Sequence, residues 1–176
     1  GGRGYVIDNP CAACHGTGTV SKKEKLMVTI PAGIDNGARL TLRGKGDEGT
    51  NGGPAGDLVL FISVRPDKYF VREGQDVYLQ IPISIAQATL GASILVPTIE
   101  GNDVSVEIPA GIQSGTMLRL KGKGIPVLQG RGTGDMYLRV VVEIPKRLSL
   151  KAKGLMKDLA SELKETTKPE PMEFRG

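Results

Sequence analysis

The chain has 176 residues, of which 39% are hydrophobic and 24% are charged, an ordinary composition for a globular protein. No apolar run approaches the roughly 18 to 20 residues of a membrane helix, so a transmembrane helix is excluded and no membrane partner is expected. The 25 Gly and 11 Pro are too many for a helical bundle and are typical of short strands joined by tight turns.

The first motif in chain order is Cys11-Ala12-Ala13-Cys14-His15-Gly16-Thr17-Gly18. Two thiolates at this spacing can bind one Zn²⁺, and the glycines let the backbone fold around the ion. A tetrahedral site needs four ligands, and His15 is poorly placed to be a third because it lies directly beside Cys14. The sequence Gly1-Gly2-Arg3-Gly4 fits the end of a preceding unit of the same type. We therefore interpret Cys11 and Cys14 as half of a zinc site, expected to be empty in this chain.

Catalysis is not expected from these residues. A redox cysteine pair needs a βα unit around it, and the sequence predicts none. The chain contains one His and shows no nucleophile with a suitably spaced base, so no catalytic residue is assigned.

A duplicated segment follows the cysteine motif. Residues 28–64 match residues 106–142 at a constant offset of 78, with 17 identities in 37 positions. The shared sequence contains Val-x-Ile-Pro-Ala-Gly-Ile, Leu-x-Leu, Gly-Lys-Gly and Gly-Asp, whose glycines we interpret as turn residues. Both copies alternate apolar and polar residues, which indicates strands with one buried face, in the first copy through Leu26, Val28 and Ile30. The sequence thus predicts a mainly all-β fold of two tandem β-sandwiches.

The two copies differ in what precedes them. The second follows a predicted strand at 76–83 and a short helix that is capped by Ser84 and ended by Gly91. The cysteine segment stands in the corresponding place before the first copy, so the first sandwich is expected to lack its opening strand. The predicted domains are a cysteine-rich remnant (1–20), the first sandwich (21–72), the second sandwich (73–148), and a helix with a tail (149–176).

The C-terminal segment changes to a helical period. Leu155, Met156, Leu159 and Leu163 lie on one side of a predicted amphipathic helix over about 151–165. This apolar stripe fits two interpretations: packing of the helix on its own domain, or pairing with a second molecule.

Taken together, these motifs resemble the C-terminal half of zinc-finger-containing, class A DnaJ-like J-domain co-chaperones. Two further segments carry the resemblance, Arg65-Pro66-Asp67-Lys68-Tyr69-Phe70 and the stretch 82–91. The resemblance implies that the sandwiches bind unfolded polypeptide clients, that the C-terminal helix forms a homodimer, and that clients are delivered to a 70-kDa heat-shock chaperone. The J-domain tripeptide His-Pro-Asp does not occur here, so stimulation of that chaperone's ATPase is not expected.

The family's zinc region holds four cysteine pairs and joins the first pair to the fourth. Zinc is therefore expected in the full-length protein, while Cys11 and Cys14 lack their partner cysteines in this sequence.

The resemblance also places the client groove at Leu26, Val28 and Phe70. Met27 is added because it lies on the opposite face of the predicted strand, whose positions are apolar in the first copy and more polar in the second. Leu26 and Val28 also fit plain core packing, so the sequence does not decide which of the two faces binds the client. The positions compared are Met27, Val59 and Phe61 in the first copy with Ser105, Tyr137 and Arg139 in the second.

A basic zinc-ribbon module that binds nucleic acid is the alternative function, suggested by the net charge of +4, the Lys22-Lys23 pair and the cysteines. The basic residues are scattered and aromatic residues make up only 4%, which leaves little material for a base-stacking surface. Nucleic acid is therefore not an expected partner. The sequence leaves the cellular compartment open.

Overall fold

The structure is a computed structural model that describes residues 12–14, 20–49, 53–128 and 130–164. The chain divides into two units, Gly1–Pro31 and Ala32–Gly176. Within the first unit, residues 20–31 form neither a helix nor a strand.

The described residues form eight strands and two helices. In chain order these are β1 (Arg39–Leu42), β2 (Leu58–Phe61), β3 (Val71–Glu73), β4 (Asp76–Ser84), α1 (Ile85–Leu90), β5 (Ala92–Pro97), β6 (Asp103–Ile108), β7 (Met117–Leu120), β8 (Met136–Glu143) and α2 (Leu150–Glu162). The predicted mainly β fold with a C-terminal helix is confirmed. Neither helix is long and apolar enough to cross a membrane.

The second copy contains the hydrophobic core. Its main sheet has the order β3-β4-β8-β7, and the other two strands, β5 and β6, form a separate antiparallel pair. Strands β4 and β8 run parallel, and alternate residues of each strand point to the same side of the sheet. These side chains join residues of β5 and β6 in one core, whose fully buried members are Val96, Met136, Leu138 and Val140; Val77 of β4 is also fully buried.

The first copy forms a hairpin of β1 and β2. Its register is that of β7 and β8, since Arg39 pairs with Phe61 as Met117 pairs with Arg139. The inward side chains are only half-buried, namely Leu40, Leu42, Leu58 and Leu60. The sequence repeat therefore corresponds to two equivalent hairpins, β1–β2 and β7–β8, and the fully buried core residues belong to the second copy.

The strand expected through Leu26, Val28 and Ile30 does not form, so that prediction was wrong. The equivalent strand of the second copy, β6, pairs with β5. In the first copy the sequence equivalent to β5 is Cys-His-Gly-Thr-Gly-Thr at 14–19, and glycine is disfavoured in strands. Alternation alone therefore did not produce a strand at 26–30, with which no strand of the described residues pairs.

Both helices begin at serine caps. Ser84 Oγ accepts a hydrogen bond from the Gln87 N–H (3.1 Å), and the Gln87 side chain accepts one from the Ser84 N–H (2.9 Å). Gly91 then ends α1 at φ 80°, as predicted from the sequence. Ser149 Oγ accepts from the Ala152 N–H (3.1 Å) at the start of α2. The predicted C-terminal helix is confirmed, and it ends at Glu162, three residues before the expected end at about 165.

Candidate functional site

An open groove of about 800 Å³ surrounds Phe70 within the unit 32–176. The segment between β2 and β4, the β5–β6 turn and the loop after β7 supply its walls. Its apolar lining, which we call the Phe70 groove, consists of Val64, Pro66, Phe70, Val71, Val77, Ile99 and Ile125. A cavity of this size can hold several apolar side chains.

The position of Phe70 is fixed by a turn and by the core. The Asp67 carboxylate accepts hydrogen bonds from the N–H groups of Tyr69 (2.8 Å) and Phe70 (3.0 Å). These bonds stabilise the charged form and hold the pKa of Asp67 below its usual value. Phe70 is half-buried and packs against the core of the second copy. One part of its side chain is therefore anchored while another lines the groove.

Arg72 connects the first copy to β3 beside the groove. Its guanidinium donates to the carbonyls of Ile34 (2.8 Å) and Gly33 (3.0 Å) and forms an ion pair with Asp35. The Arg72 Nε–H also donates to the Gly74 carbonyl (2.7 Å). Arg72 thus holds the Pro-Ala-Gly turn of the first copy against the strand that follows Phe70.

Arg72 was not predicted from the sequence as a residue of this site. In the structure it lies opposite Val77 in the β3–β4 pairing. An arginine at a position facing a core has to find hydrogen-bond acceptors, and here the Pro-Ala-Gly turn provides them.

Gly33 lets that turn approach the loop after β7. Its φ is +82°, and a Cβ atom there would lie 2.0 Å from the Pro126 carbonyl oxygen. Only glycine combines this backbone conformation with so close a contact. The glycine of the Pro-Ala-Gly motif therefore serves packing as well as turn geometry.

The repeated Gly-Asp motif stabilises both hairpins. Asp57 accepts a hydrogen bond from the Gly44 N–H (2.8 Å), and Asp135 accepts one from the Gly122 N–H (2.7 Å). The Gly122 hydrogen bond, together with the neighbouring Arg119 guanidinium, lowers the pKa of Asp135. These contacts give both carboxylates a structural role in the turns.

A second open groove, of about 730 Å³, lies on the outer face of the main sheet. The Tyr78 and Tyr137 rings stack beside it with their centroids 5.2 Å apart. Burial is the main cause that raises the pKa of Tyr78. This surface was not predicted from the sequence; its two tyrosines occupy partner positions on β4 and β8.

The other expected client-binding residues lie in the unit 1–31, whereas Phe70 lies in 32–176. Met27 is 97% exposed, Leu26 is 42% exposed, and Val28 is half-buried. Use of these residues together with Phe70 stays a prediction.

The zinc assignment also stays a prediction. Cys14 is half-buried, whereas Cys11 and His15 lie outside the described residues. The residues that the structure describes contain no group of three or more side chains suited to hold a metal ion. On sequence alone, two thiols in the chain do not complete the four ligands that structural zinc requires.

The apolar stripe of α2 is exposed. No residue of α2 is buried, and its larger apolar side chains are Leu155 (61% exposed), Met156 (39%) and Leu159 (46%), followed by Leu163 (65%) just beyond the helix. Within the described part of the chain, this stripe is left without a covering element.

The fold and the repeated Gly-Asp and Pro-Ala-Gly motifs define a known class of domain. The chain belongs to the DnaJ C terminal domain family, whose model matches residues 8–145. The chain is 43% identical to the Chaperone protein DnaJ of Methylorubrum extorquens over 98% of the present chain. It is 50% identical to the Chaperone protein DnaJ of Acetivibrio thermocellus over 90% of the present chain. The chain spans 45% and 41% of these two relatives, so it corresponds to less than half of each.

Proposed function

We propose that this chain binds unfolded or misfolded polypeptides as the client-holding part of a chaperone that delivers them to a 70-kDa heat-shock chaperone. The observation that carries the proposal is the Phe70 groove, which is open, has an apolar lining interspersed with polar side chains, and is anchored through Phe70 on the buried core. Holding a client requires no covalent step. Leu26, Val28 and Met27 are proposed to add apolar contacts to the same client.

The expected affinity follows from the size of the site. Burying two or three client side chains contributes about 1.5 to 3 kcal/mol each. The ordering of a flexible client offsets part of this gain, which leaves roughly micromolar binding. Such binding is releasable, as transfer to another chaperone requires.

Phe70→Ala is expected to weaken binding of an apolar model peptide about tenfold, because most of the contact area of one aromatic side chain is lost. The measurement is fluorescence anisotropy with a labelled peptide. Because Phe70 also packs on the core, thermal unfolding of the variant has to be followed in parallel, and Phe70→Leu serves as a variant that keeps an apolar contact.

Tyr69→Ala is the matched control for this prediction. Tyr69 is the adjacent aromatic residue, is 63% exposed and does not line the Phe70 groove. Its removal is expected to leave peptide affinity within a factor of about two. If folded Phe70→Ala bound the peptide as tightly as the unchanged chain, Phe70 would have to be removed from the site.

We also propose that α2 forms a homodimer through Leu155, Met156, Leu159 and Leu163. The support is an amphipathic helix whose apolar side chains are uncovered within the described residues. A dimer gives one client two places to bind, and such linked binding is tighter than either contact alone.

Ending the chain after Leu148 is therefore expected to halve the mass measured in solution by light scattering. The shortened chain keeps all eight strands, so its sheets are expected to remain folded. Lys157→Ala, at an α2 position off the apolar stripe, is the control and is expected to keep the dimer mass. A shortened chain of unaltered oligomeric state would contradict the assignment.

A further inference from the structure

The lining of the Phe70 groove comes from both copies of the repeat. The first-copy part of the lining, as we call it, consists of Asp35, Asn36 and Val64. The second-copy part comes from the β5–β6 turn and the loop after β7, and its residues are Thr98, Ile99, Gly101 and Ile125. The shape of the groove therefore depends on how the two copies are held against each other.

Arg72 makes the polar contacts that join the two copies. Among the described residues, the hydrogen bonds and ion pairs between 32–64 and 71–164 all come from its guanidinium. Their acceptors are the carbonyls of Gly33 and Ile34 and the carboxylate of Asp35. Within the described part of the chain, one side chain of β3 is thus the polar link between the copies.

The first-copy part of the lining is continuous with the turn that Arg72 holds. Asp35 is both the ion-pair partner of Arg72 and a residue of the groove. Asn36 follows it, and its side-chain oxygen accepts a hydrogen bond from the Val64 N–H (2.9 Å). A shift of the turn would therefore carry Asp35, Asn36 and Val64 with it.

The strand that carries Arg72 is fixed to the second copy. Strand β3 pairs with β4, with Arg72 opposite the fully buried Val77. The β3–β4 turn is tied to the second-copy part of the lining, because the Ile125 N–H donates to the Gln75 carbonyl (2.8 Å). Arg72 thus extends from an element fixed to one copy toward the turn of the other.

The chemistry of arginine suits this link. The Arg72 side chain is 25% exposed and makes four hydrogen bonds, the fourth to the Gly74 carbonyl. A planar guanidinium presents several N–H donors in a fixed fork, which a lysine cannot reproduce. Without these donors the half-buried carbonyls of Gly33 and Ile34 would lose their partner, at a cost in free energy. The contact is therefore specific in geometry as well as in charge.

We propose that Arg72 is the positioning residue of the Phe70 groove: it holds the first-copy part of the lining at the distance from the second-copy part that client binding requires. The inference rests on the proposed function, because it assigns Arg72 a role in binding at that groove. Arg72 acts through the Gly33–Asp35 turn. Its loss lets the groove change width while each copy stays folded.

The first measurement needs no client. Spin labels are attached at Thr41→Cys on β1 and Glu107→Cys on β6, two exposed positions outside the groove, in a full chain whose Cys11 and Cys14 are replaced by serine. Double electron–electron resonance gives the distribution of distances between the labels. Arg72→Met keeps an apolar stem without a donor and is expected to widen this distribution about twofold, because relative motion follows when little holds two units together.

The second measurement is the affinity for the apolar model peptide. Arg72→Met is expected to weaken binding about tenfold, since a groove that has the binding geometry about a tenth of the time loses affinity by that factor. Arg72→Lys is expected to lose only about threefold, because an ammonium can pair with Asp35 but cannot serve all the acceptors of the fork. Unchanged amide hydrogen exchange at β2 and β8 shows that both copies are folded in each variant.

Arg119→Met is the matched control. Its guanidinium pairs with Asp135 inside the β7–β8 hairpin and does not link the copies. The control is expected to keep the distance distribution, and to keep the affinity within a factor of about two, because an exposed ion pair contributes little.

The two measurements separate this inference from the proposed function. An unchanged distance distribution in Arg72→Met would overturn the inference, and so would a widened distribution with unchanged peptide affinity. Absence of peptide binding by the unchanged chain would instead contradict the proposed function, while a widened distribution in Arg72→Met would still support Arg72 as the link that sets the groove.

Discussion

Leu138→Ala is expected to lower the free energy of unfolding by about 3 to 5 kcal/mol. Leu138 is 1% exposed, at the centre of the core shared by β4, β8 and the β5–β6 pair. Truncating a fully buried leucine loses its transfer free energy and leaves a cavity that packed strands cannot close. Urea denaturation followed by circular dichroism measures the loss.

The matched control for Leu138→Ala lies in the same protein. Leu60 occupies the equivalent position of the first copy, pairs with Leu40 in the hairpin and is only half-buried. Leu60→Ala is expected to cost about 1 to 2 kcal/mol, because less surface is removed from contact. Equal losses for the two variants would contradict a core that lies mainly in the second copy.

Gly134→Ala is expected to destabilise the chain by about 2 to 3 kcal/mol, the cost of forcing an atom into a closely packed site. The added Cβ would lie 2.1 Å from the Gln75 carbonyl oxygen. The β3–β4 turn would have to move, which would disturb the Ile125–Gln75 hydrogen bond of 2.8 Å. Thermal or urea unfolding gives the measurement.

Gly56→Ala is the control for Gly134→Ala, because the same substitution is made at the equivalent position. With open space among the described residues at Gly56, the change in stability is expected to stay within about 1 kcal/mol of zero, and alanine reduces the freedom of the unfolded chain. A Gly56 variant as unstable as the Gly134 variant would indicate that a backbone already fills that space in the isolated chain.

The candidate site was only partly predictable from the sequence. Phe70 was selected through the family resemblance, and the structure places it in an apolar groove. Arg72 was missed because its acceptors, Gly33 and Ile34, lie far away in sequence and meet it only in the folded chain. The site residues expected at 26–28 stay a prediction, since they lie in the unit 1–31.

The strand expected at 26–30 shows that a local alternation of apolar and polar residues is not enough to predict a strand. Alternation of Leu26, Val28 and Ile30 marks a segment that can pair, but a strand exists only where a second backbone supplies its hydrogen bonds. In the second copy β5 supplies them to β6. Alternation with a period of two indicates that a segment can form a strand, but it does not indicate whether a partner strand is present.

By itself, the sequence determined the repeat, its turns and the Ser84 and Gly91 ends of α1, because each of these depends on residues close together or on a copied pattern. The hydrogen bonds from the Gly44 N–H to Asp57 and from the Gly122 N–H to Asp135 are equivalent, so the repeated Gly-Asp motif forms the same turn contact in both copies. Only the tertiary structure decided that, among the described residues, the buried core lies on the second copy and that Arg72 meets the turn at Gly33. The physical reason is that burial and long-range hydrogen bonds need groups from distant segments, as where β4 pairs with β8.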